Sequence, residues 1–216
     1  MKLGIVGTGA MGKTLAQCAA EDSAFTEIFL IEPADDNPWP AEKLNLIIDF
    51  SHPEAINSVY EYCRKHGGNI PVVIGTTGYG PDGWEMIRLL RRICPVEKRT
   101  NFSAGVEAMN RLAELGTEIL GNKADIRVYE AHHRYKQDAP SGTAKTLCGY
   151  VGISPEEYCD KVAVHRMGTV PGEHAVYFAM EDEVLEIRHT AFSKKIFALG
   201  ALEAGKKLLI DISGQM

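Results

Sequence analysis

Two short stretches concentrate side chains that can do chemistry. The first, Glu130-Ala131-His132-His133-Arg134-Tyr135-Lys136-Gln137-Asp138-Ala139-Pro140-Ser141-Gly142-Thr143, packs two histidines, two cations and a helix-start signal into fourteen residues. An imidazole is the side chain best suited to moving a proton near neutral pH. Lys136 adds a mobile positive charge. Ser141 or Thr143 can cap a following helix, and the Ser141-Gly142-Thr143 turn exposes backbone N–H groups where a carboxylate is welcome. On a strand, neighbouring side chains point to opposite faces, so His132 and His133 cannot both face one small ligand by simple pleating. If one donates a proton, the other orients or binds. A strand end and an ordinary cap would account for any one of these residues, but not for the whole string. A zinc site fits less well, because the spacing is not that of a helical histidine pair and no cysteine is close in sequence; no metal is assigned here.

The second stretch, Gly7-Thr8-Gly9-Ala10-Met11-Gly12-Lys13-Thr14, satisfies two patterns at once. As G-x-G-x-x-G it is a dinucleotide turn. Gly7 then turns the chain after a strand, Gly9 lets a pyrophosphate approach the backbone, and Gly12 lets the helix pack on the strand. As G-x-x-x-x-G-K-[ST] it is a P-loop, in which Lys13 reaches terminal phosphates, Thr14 holds magnesium, and Asp49 ends an acidic strand that helps hold the metal. Glu32 favours the first pattern. It lies 20 positions beyond Gly12, at the end of the expected second strand, where an acceptor for ribose hydroxyls belongs.

The elements that position these groups follow from hydrophobic patterning. Strands are expected at 2–6, 27–31, 44–50 and 70–75, alternating with amphipathic stretches as in βαβ units of a parallel sheet. Ser51-His52-Pro53-Glu54 resembles a capping box with proline in the first turn, and Ile56, Val59, Tyr60 and Cys63 follow at helical spacing until Gly67. Residues 32–40, rich in proline and acidic side chains, form a surface loop where cofactor selectivity would be set. After Asn101-Phe102-Ser103 the texture changes. A helix at 106–120, a strand ending in His132-His133, a short helix, and extended stretches at 174–180 and 184–190 imply a second, mixed or antiparallel α+β unit. A last helix at 194–210 carries Gly200, Ala201, Ala204 and Gly205, which permit close packing.

Composition excludes several classes. A net charge of -6 without a basic cluster argues against a general nucleic-acid or membrane-surface binder. No apolar run is long enough to span a bilayer, and the opening residues lack a signal-peptide core. Five scattered cysteines without a C-x-x-C pair read as free thiols of a reducing cytoplasm.

The string from His132 to Thr143 resembles the HHRxKxDAPSGT signature of the dihydrodipicolinate reductase family. The resemblance extends to the glycine loop, Gly75-Thr76-Thr77-Gly78, Asn101-Phe102-Ser103, Pro171-Gly172-Glu173-His174 and Phe197-Ala198-x-Gly200-Ala201. It implies an α/β chain with a Rossmann-type dinucleotide-binding domain at 1–103 plus 191–216 and a substrate and oligomerisation domain at 104–190. The implied reaction is NAD(P)H-dependent reduction of 4-hydroxy-tetrahydrodipicolinate in lysine and diaminopimelate biosynthesis, by a cytoplasmic homotetramer.

By position, His132 resembles the proton donor and Lys136 the charge stabiliser. His133, Ser141, Gly142, Thr143 and Lys194 resemble the groups that bind substrate. The cofactor side comprises Gly7, Thr8, Gly9, Ala10, Met11, Gly12, Glu32, Phe50, Ser51, Gly75, Thr76, Thr77, Asn101 and Phe102. Three departures stand out. Lys194 occupies a position where arginine is common, so a bidentate fork becomes a point charge. Glu32 is followed by Pro33 instead of a basic residue, so nothing adjacent meets a 2′-phosphate and NADH is favoured over NADPH. The chain is also short for the family. A P-loop phosphotransferase, or a silent dinucleotide-binding sensor on the same fold, stands as the alternative.

Overall fold

The structure, a computed structural model, describes residues 1–32 and 39–213, with side chains as far as 211. Most of the loop expected at 32–40 lies outside the described residues. The chain divides into two compact units, Met1–Phe102 with Phe197–Met216, and Ser103–Ile196.

In unit 1, β1 (Lys2–Val6), α1 (Ala10–Ala20), β2 (Glu27–Ile31), β3 (Leu46–Asp49), α2 (Ile56–Lys65), β4 (Val72–Ile74), α3 (Pro81–Ile93) and β5 (Val96–Lys98) follow in order. The strands form one parallel sheet, β2-β1-β3-β4-β5. Every residue of β3 and β4 is buried, as expected of strands covered on both faces. Leu3, Ile5, Leu46, Ile48 and Val73 pack with Leu15 and Ala19 of α1 and with Ala198, Ala201 and Leu202 of the last helix, α7 (Lys195–Ser213). Val6, Ile47, Val72 and Ile74 pack with Val59 and Cys63 of α2 and Ile87 and Leu90 of α3 on the other face. A Cβ on Gly200 would lie 1.8 Å from the Phe102 carbonyl oxygen, so only glycine lets α7 approach that closely.

Unit 2 contains α4 (Ala104–Leu120), β6 (Asp125–His132), α5 (Gly142–Tyr150), α6 (Tyr158–Lys161), β7 (Val162–Arg166), β8 (Glu173–Ala179) and β9 (Val184–Thr190). Its sheet is mixed, β7-β6-β8-β9, with β6 and β7 parallel and the other pairs antiparallel. Val106, Met109 and Ala113 of α4, with Ala144, Leu147 and Cys148 of α5, cover Val128, Val176 and Phe178.

The expected strands and helices are present; the strands at 2–6, 27–31 and 184–190 match at both ends, and the other ends move by up to three residues. Two elements of unit 1 were not expected. Helix α3 starts with Pro81 and Asp82 and ends with Arg91 and Arg92, a charge order that suits its dipole. Strand β5 has three residues with one apolar side chain, too little to stand out as a pattern. In unit 2, β7 was also unforeseen.

The capping box at Ser51 is absent. His52 takes the N-cap position of a 3-10 turn over Pro53–Ala55, and Ser51 Oγ instead donates to Asp49 Oδ1. A charged acceptor two residues back outcompetes the helix end.

Candidate active site

In unit 1 the residues expected on the cofactor side gather after the carboxyl ends of the parallel strands, where open α/β sheets bind ligands. Gly7 to Gly9 join β1 to α1, Ala10 to Gly12 form the first turn of α1, and Glu32 follows β2. Phe50 and Ser51 follow β3, Gly75, Thr76 and Thr77 follow β4, and Asn101 and Phe102 come after β5. Gly7 has φ 103°, and a Cβ on Gly12 would lie 1.9 Å from the Gly7 carbonyl, so the turn needs glycine at both places.

Gly9 differs: a Cβ there would meet no protein atom within 4 Å. It also N-caps α1 without a side-chain cap, and the first turn of α1 has no acidic residue. That leaves open space beside a positive helix end, which suits a pyrophosphate. Glu32 Oε2 accepts from Thr8 N at 3.3 Å and from Thr8 Oγ1 at 2.9 Å, which holds the carboxylate beside the turn. The Phe50 ring lies against Gly75 and meets Phe102 edge-on at 5.9 Å. These features fit a nicotinamide dinucleotide.

The P-loop alternative fails on its own residues. Thr14 Oγ1 donates to the Ala10 carbonyl at 2.9 Å. Asp49, fully buried, accepts from Ser51 N at 3.0 Å, from Ser51 Oγ and from Tyr79 OH at 3.3 Å, and Ser51 N also donates to Thr76 Oγ1 at 2.8 Å. Burial pushes the Asp49 carboxyl up, against the pull of the Ser51, Thr76 and Tyr79 hydrogen bonds. This carboxylate ties the loop after β3 to the loop after β4 and is closed to a metal.

In unit 2 the site grows out of the core face of β6. Side chains two apart on a strand share a face, so Val128, Glu130 and His132 form one row, all buried. Antiparallel pairing places His174 opposite Glu130, as Val176 is opposite Val128. The row is therefore apolar at one end and ionisable at the other. Glu130 Oε1 accepts from Ser141 N at 3.1 Å and from Arg166 Nη2 at 2.9 Å. Its Oε2 lies 2.5 Å from His132 Nδ1, a close contact without in-line hydrogen-bond geometry. Burial pushes the Glu130 carboxyl up, but the close His132 ring and the bonds to Arg166 and Ser141 more than offset it and hold the group down at about 2.

His174 meets His132 edge-on at 5.0 Å, and its Nε2 is 3.2 Å from Ser141 Oγ. Burial, then the nearby His132 charge, lowers its pKa to about 3, so it is neutral at ordinary pH. Ser141 caps α5 as expected, accepting from Ala144 N at 3.1 Å, with Gly142 and Thr143 in the first turn. Lys136 Nζ pairs with Asp138 Oδ1 at 2.6 Å. Arg166 fixes this loop by donating to the carbonyls of Lys136 at 3.3 Å and Asp138 at 2.5 Å. His133 leaves the strand. Its pKa is lowered by burial and then by the positive charges of Lys194, His132, Lys136 and Arg166. The expected substrate-side residues thus surround a local concentration of positive charge in a chain of net charge -6.

Glu130, Arg166, Gly172 and His174 complete this site; Glu130, Gly172 and His174 lie in stretches picked out from sequence but were given no role there, and Arg166 was not picked out. The Glu130 signal was available, since a carboxylate two positions before a strand histidine shares its face. Arg166 and His174 arrive only through sheet register. Glu130, His132 and His174 hold ligand-type atoms within 4.8 Å of one another. Because Arg166 already matches the Glu130 charge, amid further cations, the cluster suits a shared proton better than a dication.

A glycine turn suited to a dinucleotide in one unit and an imidazole-carboxylate cluster suited to proton transfer in the other match the division of labour of pyridine-nucleotide-dependent oxidoreductases. Residues 1–102 match the N-terminal part of dihydrodipicolinate reductase and residues 105–215 match its C-terminal part. The chain belongs to the dihydrodipicolinate reductase family. It is 36% identical over 219 residues to the 4-hydroxy-tetrahydrodipicolinate reductase of Thermosipho africanus, covering 99% of this chain and 94% of the relative. It is 37% identical over 232 residues to that of Alkaliphilus metalliredigens, covering 99% and 95%. Its fold resembles the dipicolinate-bound dihydrodipicolinate reductase of Paenisporosarcina sp. TG-14, with a TM-score of 0.70, 19% identity, and 97% and 95% of the two chains covered. Among the described residues no helix is long and apolar enough to cross a membrane.

Proposed function

We propose that this chain reduces 4-hydroxy-tetrahydrodipicolinate to tetrahydrodipicolinate with loss of water, using NADH in preference to NADPH. The observation that carries the reading is the buried, carboxylate-backed His132 followed by His133, which feels the charges of Lys194, Lys136 and Arg166. Such a cluster attracts a small dicarboxylate and offers it a proton. The names of the relatives and the dipicolinate bound to the Paenisporosarcina protein support the same substrate class.

A reduced nicotinamide, when bound, supplies the hydride. Gly7, Thr8, Gly9, Ala10, Met11 and Gly12 receive its pyrophosphate, Glu32 its adenine ribose, and Phe50, Ser51, Gly75, Thr76, Thr77, Asn101 and Phe102 surround its nicotinamide end. His132 donates the proton, and Lys136 offsets negative charge developing on the substrate once Asp138 yields to it. His133, Ser141, Gly142, Thr143 and Lys194 hold the carboxylates, the N-terminus of α5 adding its dipole. The NADH preference rests on Glu32: a ribose 2′-hydroxyl can donate to its carboxylate, whereas a 2′-phosphate would face a like charge. A homotetramer assembled through the mixed sheet is supported by edge strand β9, whose Val184 and Leu185 are exposed; light scattering tests it.

The deciding experiment generates the labile substrate in place from pyruvate and aspartate semialdehyde with a condensing enzyme. Oxidation of NADH and of NADPH is then followed as this protein is added. Protein-dependent oxidation, faster with NADH, is expected. Equal or faster use of NADPH would overturn the preference. NADH binding without any oxidation would instead point to the silent sensor.

A further inference from the structure

Glu130 Oε1 already accepts from two donors, Ser141 N and Arg166 Nη2. The carboxylate cannot turn without breaking both bonds, so Oε2 is fixed 2.5 Å from His132 Nδ1. A carboxylate oxygen and an imidazole nitrogen at that separation need a proton between them, because two lone pairs would repel. The contact is bent, not in line, so the short distance and not the angle carries the argument. The opposite nitrogen, Nε2, is kept clear of a side chain: a Cβ on Gly172 would stand only 3.2 Å away, and glycine carries none. The remaining neighbour, His174, packs edge-on to the ring and offers no hydrogen bond to Nδ1.

The geometry points to Glu130, pinned by Arg166, as the positioning residue for His132: it keeps a proton on Nδ1 and leaves Nε2 as the atom that gives its proton to the substrate. The inference rests on the assignment of His132 as proton donor. It adds which nitrogen acts and which residue selects it. Arg166 has a second task, since its bonds to the Lys136 and Asp138 carbonyls set the loop that carries Lys136. One guanidinium therefore registers both the acid and the charge stabiliser to the same strand.

Two measurements test this. Nitrogen-15 spectra of histidine-labelled wild-type protein, at a pH where His132 is neutral, should give the Nδ1–H tautomer; an Nε2–H tautomer would overturn the inference. This readout needs neither turnover nor a variant, so it survives both failure of the reductase assignment and misfolding of a mutant.

In turnover, Glu130→Gln should lower kcat by about 100-fold, a size typical of lost orienting carboxylates, with substrate KM within about threefold. Combined with His132→Gln, the same change should cost nothing further, because Glu130 acts through His132. A wild-type kcat in Glu130→Gln, or a second full loss in the double variant, would sink the positioning role.

Discussion

The proposed nucleotide side of unit 1 offers backbone and empty space, whereas the proposed substrate side of unit 2 offers charged side chains locked in a buried network. Around the glycine turn the decisive facts are what is missing: no Cβ at Gly7 and Gly12, no protein atom near a Cβ on Gly9, and no side-chain cap on α1. Around β6 they are what is present: a carboxylate buried in the sheet's core face, a guanidinium that neutralises it, and an imidazole beside it. A nucleotide is bound by generic features of its phosphates and ribose, which backbone N–H groups can serve. Proton transfer needs one atom held in one place, which only interlocked side chains provide.

The sharpest test of that contrast is turnover. His132→Gln and Lys136→Ala should each lower kcat by about two to four orders of magnitude while NADH affinity stays unchanged by calorimetry. Near-normal rates in both would end the assignment. Next in size, Arg166→Met leaves Glu130 buried without its guanidinium and should destabilise unit 2 by about 3 kcal/mol. Trp39 and Trp84 both belong to unit 1, so their fluorescence follows that unit, while hydrogen exchange along β6 and β8 follows unit 2. Loss of protection confined to unit 2 is expected.

The glycines should separate in the opposite way. Gly12→Ala forces a clash with backbone and should cost about 1–3 kcal/mol of stability. Gly9→Ala should fold normally and weaken NADH binding by about tenfold or more, since the added methyl meets only the ligand. An unstable Gly9→Ala protein would refute this.

Acid provides the smallest effect. Glu130, held at about 2, stabilises unit 2 fully above the unfolded carboxylate value near ~4.3, and that contribution fades as pH falls toward about 2. Asp49 is shifted the other way, so acid relieves the cost of burying its charge in unit 1. Below about pH 4, unit 2 amides should lose protection first; the reverse order would contradict both assignments.

The same contrast explains what could be read from the chain itself. The glycine turn, Glu32 and the string from His132 to Thr143 are contiguous or fixed in spacing, so their roles could be read locally. Arg166 lies 36 residues beyond Glu130 and reaches it only because β7 pairs with β6, a register that no local pattern encodes. His174 comes from β8 for the same reason. Ser51 was misread because its competing acceptor, Asp49, is a buried charge whose pull shows only in three dimensions. Strand β5 is too short for its alternation to register, although the proline and arginine punctuation of α3 was there to be used.

The return of α7 to unit 1 has a consequence for synthesis. The residues of unit 2 all leave the ribosome before Ala198, Ala201 and Leu202, which belong to the core of unit 1. The later unit can therefore complete its interior first, while the sheet translated at the outset waits with one apolar face covered only in part, by α1, until the final helix emerges. A nascent chain stalled near residue 190 should expose that face to chaperones, with its glycine turn already made but not yet supported.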